Sequence, residues 1–153
     1  MKDIPYSTAL IIGAGAGISA SLARLLADAG LKLGLAARNV AKLKDLADTT
    51  KALTFQTDAA DPGAVSRLFE AVDTQLGVPD VVIYNASARL PGPIAELDPE
   101  AVRNAIGITA FGGFLATQQA ARRMLPKASG AIFLTGATAS VKRLRPFLGL
   151  CDG

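Results

Sequence analysis

Ser7-Thr8-Ala9-Leu10-Ile11-Ile12-Gly13-Ala14-Gly15-Ala16-Gly17-Ile18-Ser19 is the stretch on which the reading of this chain turns. Residues 7–12 carry no charge and have the length of a strand buried on both faces. From residue 18 the apolar positions switch to helical spacing, with Ile18, Leu22, Leu25, Leu26 and Ala29 on one face and Gly30 as the stop. Between strand and helix lie three alternate glycines. A glycine-rich turn there lets backbone N–H groups at a helix N-terminus approach a phosphate closely, so Gly13, Gly15, Ala16, Gly17 and Ile18 are the first candidate ligand-binding residues. The run departs from a strict G-x-G-x-x-G because Ile18 stands at the third glycine, and without a following Gly-Lys-Ser/Thr it is not a P-loop. A tight turn that binds nothing has the same composition. Its position after the first strand is what favours nucleotide binding.

The chain continues in the same alternation. Residues 31–37 predict a second strand, and Arg38 and Asn39 open a helix through Thr50, with Asn39 as N-cap and Val40, Leu43 and Leu46 facing inward. Residues 52–56 predict a third strand. Asp61-Pro62 pairs a cap with proline at the first helical position, and Val65, Leu68, Phe69, Val72 and Leu76 keep helical spacing up to Gly77. Residues 81–84 form the fourth strand. After a Pro- and Gly-punctuated loop at 86–97, Asp98-Pro99-Glu100 repeats the start signal for helical material reaching Met124. Gly107, Gly112 and Gly113 inside it predict a break or a close approach, since each costs helix propensity of about 1 kcal/mol relative to alanine. Residues 131–135 predict the fifth strand. Five apolar strands joined by helical crossovers imply an α/β fold, a doubly wound parallel sheet with helices on both faces. Such sheets bind ligands beyond the carboxyl ends of their strands, which draws attention to the segments after Ile12, Ala37, Gln56, Asn85 and Thr135.

Composition narrows the chemistry. The chain has 153 residues, 50% of them hydrophobic and only 19% charged, enough apolar material for one ordinary core with some surface left to meet a partner. Of its net charge of +3, the last thirteen residues supply +2 through Lys142, Arg143, Arg145 and Asp152, so the body is nearly neutral and has no basic stripe for nucleic acid. The absence of histidine excludes a Ser-His-Asp triad and an H-E-x-x-H zinc site. One cysteine, Cys151, allows no internal disulfide and no C-x-x-C knuckle. Residues 9–23 are apolar enough to mimic a signal peptide, but Asp3 occupies the would-be basic region and Gly13, Gly15 and Gly17 interrupt the run. No stretch reaches the roughly 18 apolar residues that a membrane span needs. A soluble cytoplasmic protein, associated with neither membrane nor nucleic acid, is expected.

Taken in order from Ser7 to about Thr138, the sequence resembles the short-chain dehydrogenase/reductase family. Gly13-Ala14-Gly15-Ala16-Gly17-Ile18-Ser19 is similar to its T-G-x-x-x-G-x-G, with Ile12 for the threonine and Ser19 for the last glycine. Asp58, followed by Ala59, resembles the family's adenine-contacting aspartate. Tyr84-Asn85-Ala86-Ser87 resembles its N-N-A-G, after the similar lead-in Gly77-Val78-Pro79-Asp80. A turn cap for Asp58 and a strand-end hydrogen bond for Asn85 are the structural readings of the same residues. The resemblance implies a Rossmann-like sheet of strand order 3-2-1-4-5 over residues 1–140 and a nicotinamide dinucleotide held by the glycine turn, Arg38, Asn39, Asp58, Ala59, Asn85 and Ala86. It also implies an oxidoreductase that passes a hydride between nicotinamide and a small carbonyl or alcohol substrate. A noncatalytic nucleotide-binding or assembly module is the alternative, and a phosphate-binding protein for another nucleotide is the third reading.

Charge selects between cofactors. An acidic side chain at the end of the second strand would bind a ribose 2′-OH and repel a 2′-phosphate, but Ala37 is neutral and Arg38 follows it, so NADP is expected before NAD. The family's catalytic set is less complete. The place of its asparagine falls on Thr109, and that of its serine on Ala137 or, with a one-residue shift, on Thr138. Its tyrosine with a lysine four residues on is missing, since Tyr6 and Tyr84 are the only tyrosines and neither has that lysine. Residues 141–153 are basic and unlike the family's continuation, which suggests a shifted reading frame, a junction, a truncated gene product or a divergent end. The fifth strand would then lack its usual neighbour and present an apolar edge for a partner, so a homo-oligomer is expected.

Overall fold

The structure, a computed structural model, describes residues 5–137. Thr138, the expected domain boundary at 140 and the tail at 141–153 lie outside the described residues. Five parallel strands, β1 (Thr8–Ile12), β2 (Lys32–Ala37), β3 (Leu53–Gln56), β4 (Val81–Tyr84) and β5 (Ala131–Leu134), form one sheet of order β3-β2-β1-β4-β5. The connecting helices are α1 (Ile18–Asp28), α2 (Lys44–Thr50), α3 (Pro62–Gln75), α4 (Pro99–Ile106) and α5 (Gly112–Met124). This is the expected doubly wound architecture. The chain leaves β1 towards β2 and β3, then returns to β4 on the other side, so the direction of winding reverses between β1 and β4. Ile12 at the end of β1 is in register with Ala36 on one side and Tyr84 on the other.

Period-two alternation explains the two core layers. Leu10 and Ile12 of β1 join Val65, Leu68, Phe69 and Val72 of α3 and Leu115, Ala116 and Ala120 of α5 on one face. Ala9 and Ile11 join Ala20 and Ala23 of α1 and Leu46 of α2 on the other. Each fully buried aliphatic or aromatic side chain contributes roughly 1.5–3 kcal/mol, so a one-residue slip of β1 would exchange its contacts in both layers at once. The helices begin where their caps stand: Asp61 Oδ1 accepts from Ala64 N at 2.8 Å, and Asp98 Oδ2 from Ala101 N at 3.0 Å, each followed by proline.

Two elements differ from the expectation drawn from periodicity. The inward face of α1 is Ser19, Ala20 and Ala23, while Ile18 and Leu25 are 63% and 65% exposed and Leu22 and Leu26 pack at the flank. The segment after Asn39 starts as a 3-10 turn, Val40–Leu43, capped by Asn39 Oδ1 accepting from Ala41 N at 3.1 Å, before α2 begins. The helical stretch up to Met124 is broken, as its glycines lead one to expect, at Gly107–Phe111, a π turn between α4 and α5.

The glycines of that stretch also act by close approach. A Cβ on Gly112 would stand 2.5 Å from the Ala59 carbonyl oxygen and collide with the Tyr84 hydroxyl. At the opposite end of the sheet, Asp80 ties β1, β4 and the end of α5 together. Its Oδ2 accepts from Ser7 N at 2.9 Å and Thr8 N at 3.2 Å, and its Oδ1 from Lys127 Nζ at 2.8 Å. Among the described residues β5 pairs only with β4, and its Phe133 and Leu134 are exposed.

Candidate functional site

The carboxyl ends of β1, β2 and β4 open into a crevice of about 420 Å³ at the point where the winding reverses. Its floor is the glycine turn. Gly13 adopts φ +82°, a conformation that side chains disfavour, and Gly13 N and Ala14 N both donate to Ala36 O at 2.9 Å, which fastens the turn to the end of β2. The polypeptide also passes so close to β4 that a Cβ on Gly13 would overlap the Ala86 backbone and lie 2.7 Å from the Asn85 carbonyl carbon. Beyond it the space is open: a Cβ on Gly15 or Gly17 would meet nothing within 4 Å. Gly17 caps α1 with no side-chain hydrogen bond, so the first-turn amides of this eleven-residue helix are left for solvent or an anion.

The crevice brings together Gly13, Gly15, Ala16, Arg38, Asn39, Asp58, Ala59, Asn85 and Ala86 from four separate segments of the chain. Gly17 and Ile18 stand outside its lining, at the start of α1. Lys42, in the 3-10 turn after Asn39, lines it too, as do Ser87 and Ile108. Neither Arg38 nor Lys42 forms an ion pair among the described residues, although the carboxylate of Asp58 belongs to the same lining. Asp58 faces the same space, and its Oδ1 accepts from Ala60 N at 3.0 Å, the local turn expected of it.

Tyr84 and Thr109 secure the far wall. The buried Tyr84 hydroxyl donates to the Ile108 carbonyl within the π turn, where the helical ladder is interrupted. Burial, and then the charge of Asp58, push this phenol up to about 12. It therefore stays protonated at neutral pH and holds a backbone carbonyl. Thr109 Oγ1 accepts from Ala88 N at 3.1 Å, which ties the loop after β4 to the same turn. Thr109 does not line the crevice, and Thr138 lies outside the described residues.

Composition and spacing missed Lys42, which the 3-10 turn brings into the same lining as Arg38, and Ser19, whose side chain is buried beneath the turn. An i, i+4 spacing of cations after a strand end was the available signal for Lys42.

A model of the family described as short chain dehydrogenase matches residues 7–147. This chain belongs to the short-chain dehydrogenase family. Relatives of this chain include a probable 2,4-dienoyl-CoA reductase of Caenorhabditis elegans, 29% identical over 92% of this chain and 48% of its own length. Another is a cis-4-hydroxycyclohexanecarboxylate dehydrogenase of Sinomonas cyclohexanicum, 36% identical over 81% of this chain and 52% of its own. Among solved structures, a short-chain type dehydrogenase/reductase from Mycobacterium marinum superposes with a TM-score of 0.88 at 27% identity, covering 93% of this chain and 60% of that one. A variant actinorhodin polyketide ketoreductase solved with NADPH gives 0.87 at 26%, covering 93% and 57%. The chain thus spans about half the length of the relatives it matches.

Proposed function

We propose that the chain is the nucleotide-binding portion of an NADP(H)-dependent short-chain oxidoreductase acting on a small carbonyl or alcohol. The observation that carries the reading is the open glycine floor at the winding reversal: Gly13 is pressed against β4, while the space over Gly15 and Gly17 is free for a diphosphate. In this reading the amides of residues 13–18 hold the diphosphate, Asp58 and Ala59 border the adenine, and Asn85 and Ala86 border the nicotinamide side. When bound, the nicotinamide supplies the hydride acceptor or donor. The paired cations Arg38 and Lys42 beside the end of β2 support a 2′-phosphate, hence NADP ahead of NAD. An NADPH-bound neighbour among the solved structures agrees with this preference. The noncatalytic module draws no support from these likenesses.

Turnover needs a proton donor that these residues do not supply. Tyr84 is committed to the Ile108 carbonyl, and Tyr6, at the base of β1, has no lysine four residues on. We therefore expect the 153 residues alone to show little or no hydride transfer, with Thr109 and Thr138 as at most supporting hydrogen-bond groups. The protein is further proposed to work in the cytoplasm, without nucleic acid or membrane, as a homo-oligomer. Among the described residues no helix is long and apolar enough to cross a membrane. Exposed Ile106, Phe111 and Phe114 along α4, the π turn and α5 give a second copy an apolar surface.

The test is titration of the purified chain with NADPH and NADH. Arg38→Ala is expected to weaken NADPH binding by about 1–3 kcal/mol, the scale of a lost charge-assisted hydrogen bond, and to leave NADH almost unchanged. Equal losses for both dinucleotides would refute the 2′-phosphate role, and no binding of either would refute the reading as a whole.

A further inference from the structure

Asn85 is held at both ends of its carboxamide. Its Nδ2 donates to Ser19 Oγ at 2.7 Å, and its Oδ1 accepts from Thr135 Oγ1 at 2.8 Å. Ser19 is wholly buried, and its single hydroxyl hydrogen goes to the Gly13 carbonyl at 3.2 Å. The Ser19 oxygen is thereby left to accept, which fixes the amide end of Asn85 as the one facing it. For Thr135, Asn85 is the nearer acceptor, the Tyr84 carbonyl lying at 3.3 Å. A directional chain of three side-chain hydrogen bonds thus runs from just past β5, across the end of β4, to the first residue of the glycine turn. Backbone bonds run beside it, Asn85 N to Ile12 O at 2.8 Å and Thr135 N to Tyr84 O at 3.0 Å.

Gly13 and Asn85 line the crevice, whereas Ser19 and Thr135 do not. We infer that Ser19, bonded directly to the turn, and Thr135, acting through Asn85 and Ser19, are positioning residues that hold the glycine turn in its ligand-accepting shape and couple it to the segment that follows β5. Serine at position 19 is what makes the strap: a glycine there would leave the Asn85 amide without this acceptor and the Gly13 carbonyl without its donor. The strap's effect on binding rests on the dinucleotide reading above, but its effect on the turn does not.

The experiment compares the parent chain with Ser19→Ala, Thr135→Val, Thr135→Ser and the Ser19→Ala/Thr135→Val double variant. Two quantities are read: hydrogen–deuterium exchange at the Gly13 and Ala14 amides, and the NADPH dissociation constant. Loss of a half-buried hydrogen bond predicts roughly tenfold faster turn exchange and roughly tenfold weaker binding for Ser19→Ala, and a smaller, several-fold change for Thr135→Val because Thr135 is solvent-exposed. Thr135→Ser should restore parental values. The double variant should be no worse than Ser19→Ala alone, since without Ser19 the threonine no longer reaches the turn. Unchanged turn exchange in Thr135→Val, or effects that simply add, would overturn the strap. If the parent binds no NADPH, the dinucleotide reading fails and the exchange measurements still decide the strap. If all variants bind NADPH alike and exchange alike, the strap fails and the reading stands. Should Ser19→Ala not fold, the exposed Thr135 pair carries the test.

Discussion

Replacing Gly13 by alanine probes the one place where backbone conformation and packing make the same demand. The residue sits at φ +82°, where an L side chain costs about 1–2 kcal/mol. Its added methyl would also overlap the Ala86 backbone and come within 2.7 Å of the Asn85 carbonyl carbon, so either the turn or the end of β4 has to shift. Overpacking of that kind adds about 1–3 kcal/mol, giving roughly 2–5 kcal/mol in all. Two neighbours separate the terms. Gly17, at φ +92° and ψ −132° with nothing within 4 Å, should lose only the conformational part, about 1–3 kcal/mol, and Gly15, with open space and no positive φ, should lose almost nothing. Urea unfolding of Gly13→Ala, Gly17→Ala and Gly15→Ala, followed by circular dichroism, should therefore give destabilisation in that descending order. A Gly13→Ala chain within about 0.5 kcal/mol of the parent, the range of an ordinary surface change, would refute the close approach of the turn to β4. NADPH titration of Gly15→Ala adds a check, since a methyl in the open cradle should weaken binding without weakening the fold.

Other perturbations follow from the same geometry. Burial pushes the Asp80 carboxyl up, but the Lys127 hydrogen bond, the Ser7 amide, the Lys127 charge and the Thr8 hydroxyl outweigh it and hold the group below its ordinary 3.8. The unfolded chain then takes up the proton first, so this contribution is complete above about pH 4 and is lost as pH falls through the lower folded value. Asp80→Asn should flatten that acid limb in urea midpoints measured from pH 6 to 3 and lower stability at neutral pH by about 1–3 kcal/mol. Tyr84 carries the opposite sign: with its phenol at about 12 against an ordinary 10.0, its contribution is complete below pH 10 and lost as pH rises towards 12. Tyr84→Phe should remove that alkaline dependence and cost about 1–3 kcal/mol at neutral pH by leaving the Ile108 carbonyl without its donor. For assembly, sedimentation should give a defined oligomer that Phe111→Asp and Phe114→Asp dissociate, whereas a polydisperse parent would count against a homo-oligomer.

Strand existence, strand direction and the ligand-facing ends of the sheet were all legible from the sequence because each depends on residues close together in the chain. An uncharged run means a buried strand, Asp-Pro starts a helix, and βα alternation forces parallel crossovers. The resemblance to a known family added the strand order and the cofactor class. Other features belong to the tertiary structure alone. Spacing put Leu25 of α1 inward, but the helix is docked with Ser19, Ala20 and Ala23 towards the sheet and Leu25 left exposed. Ser19, Asn85 and Thr135 meet across separations of 66 and 50 residues, and Tyr84 reaches a carbonyl 24 residues on. Periodicity reports which way a side chain faces relative to its neighbours in the chain. The distance between packed layers then decides which of those side chains fit, and whether their polar atoms find each other.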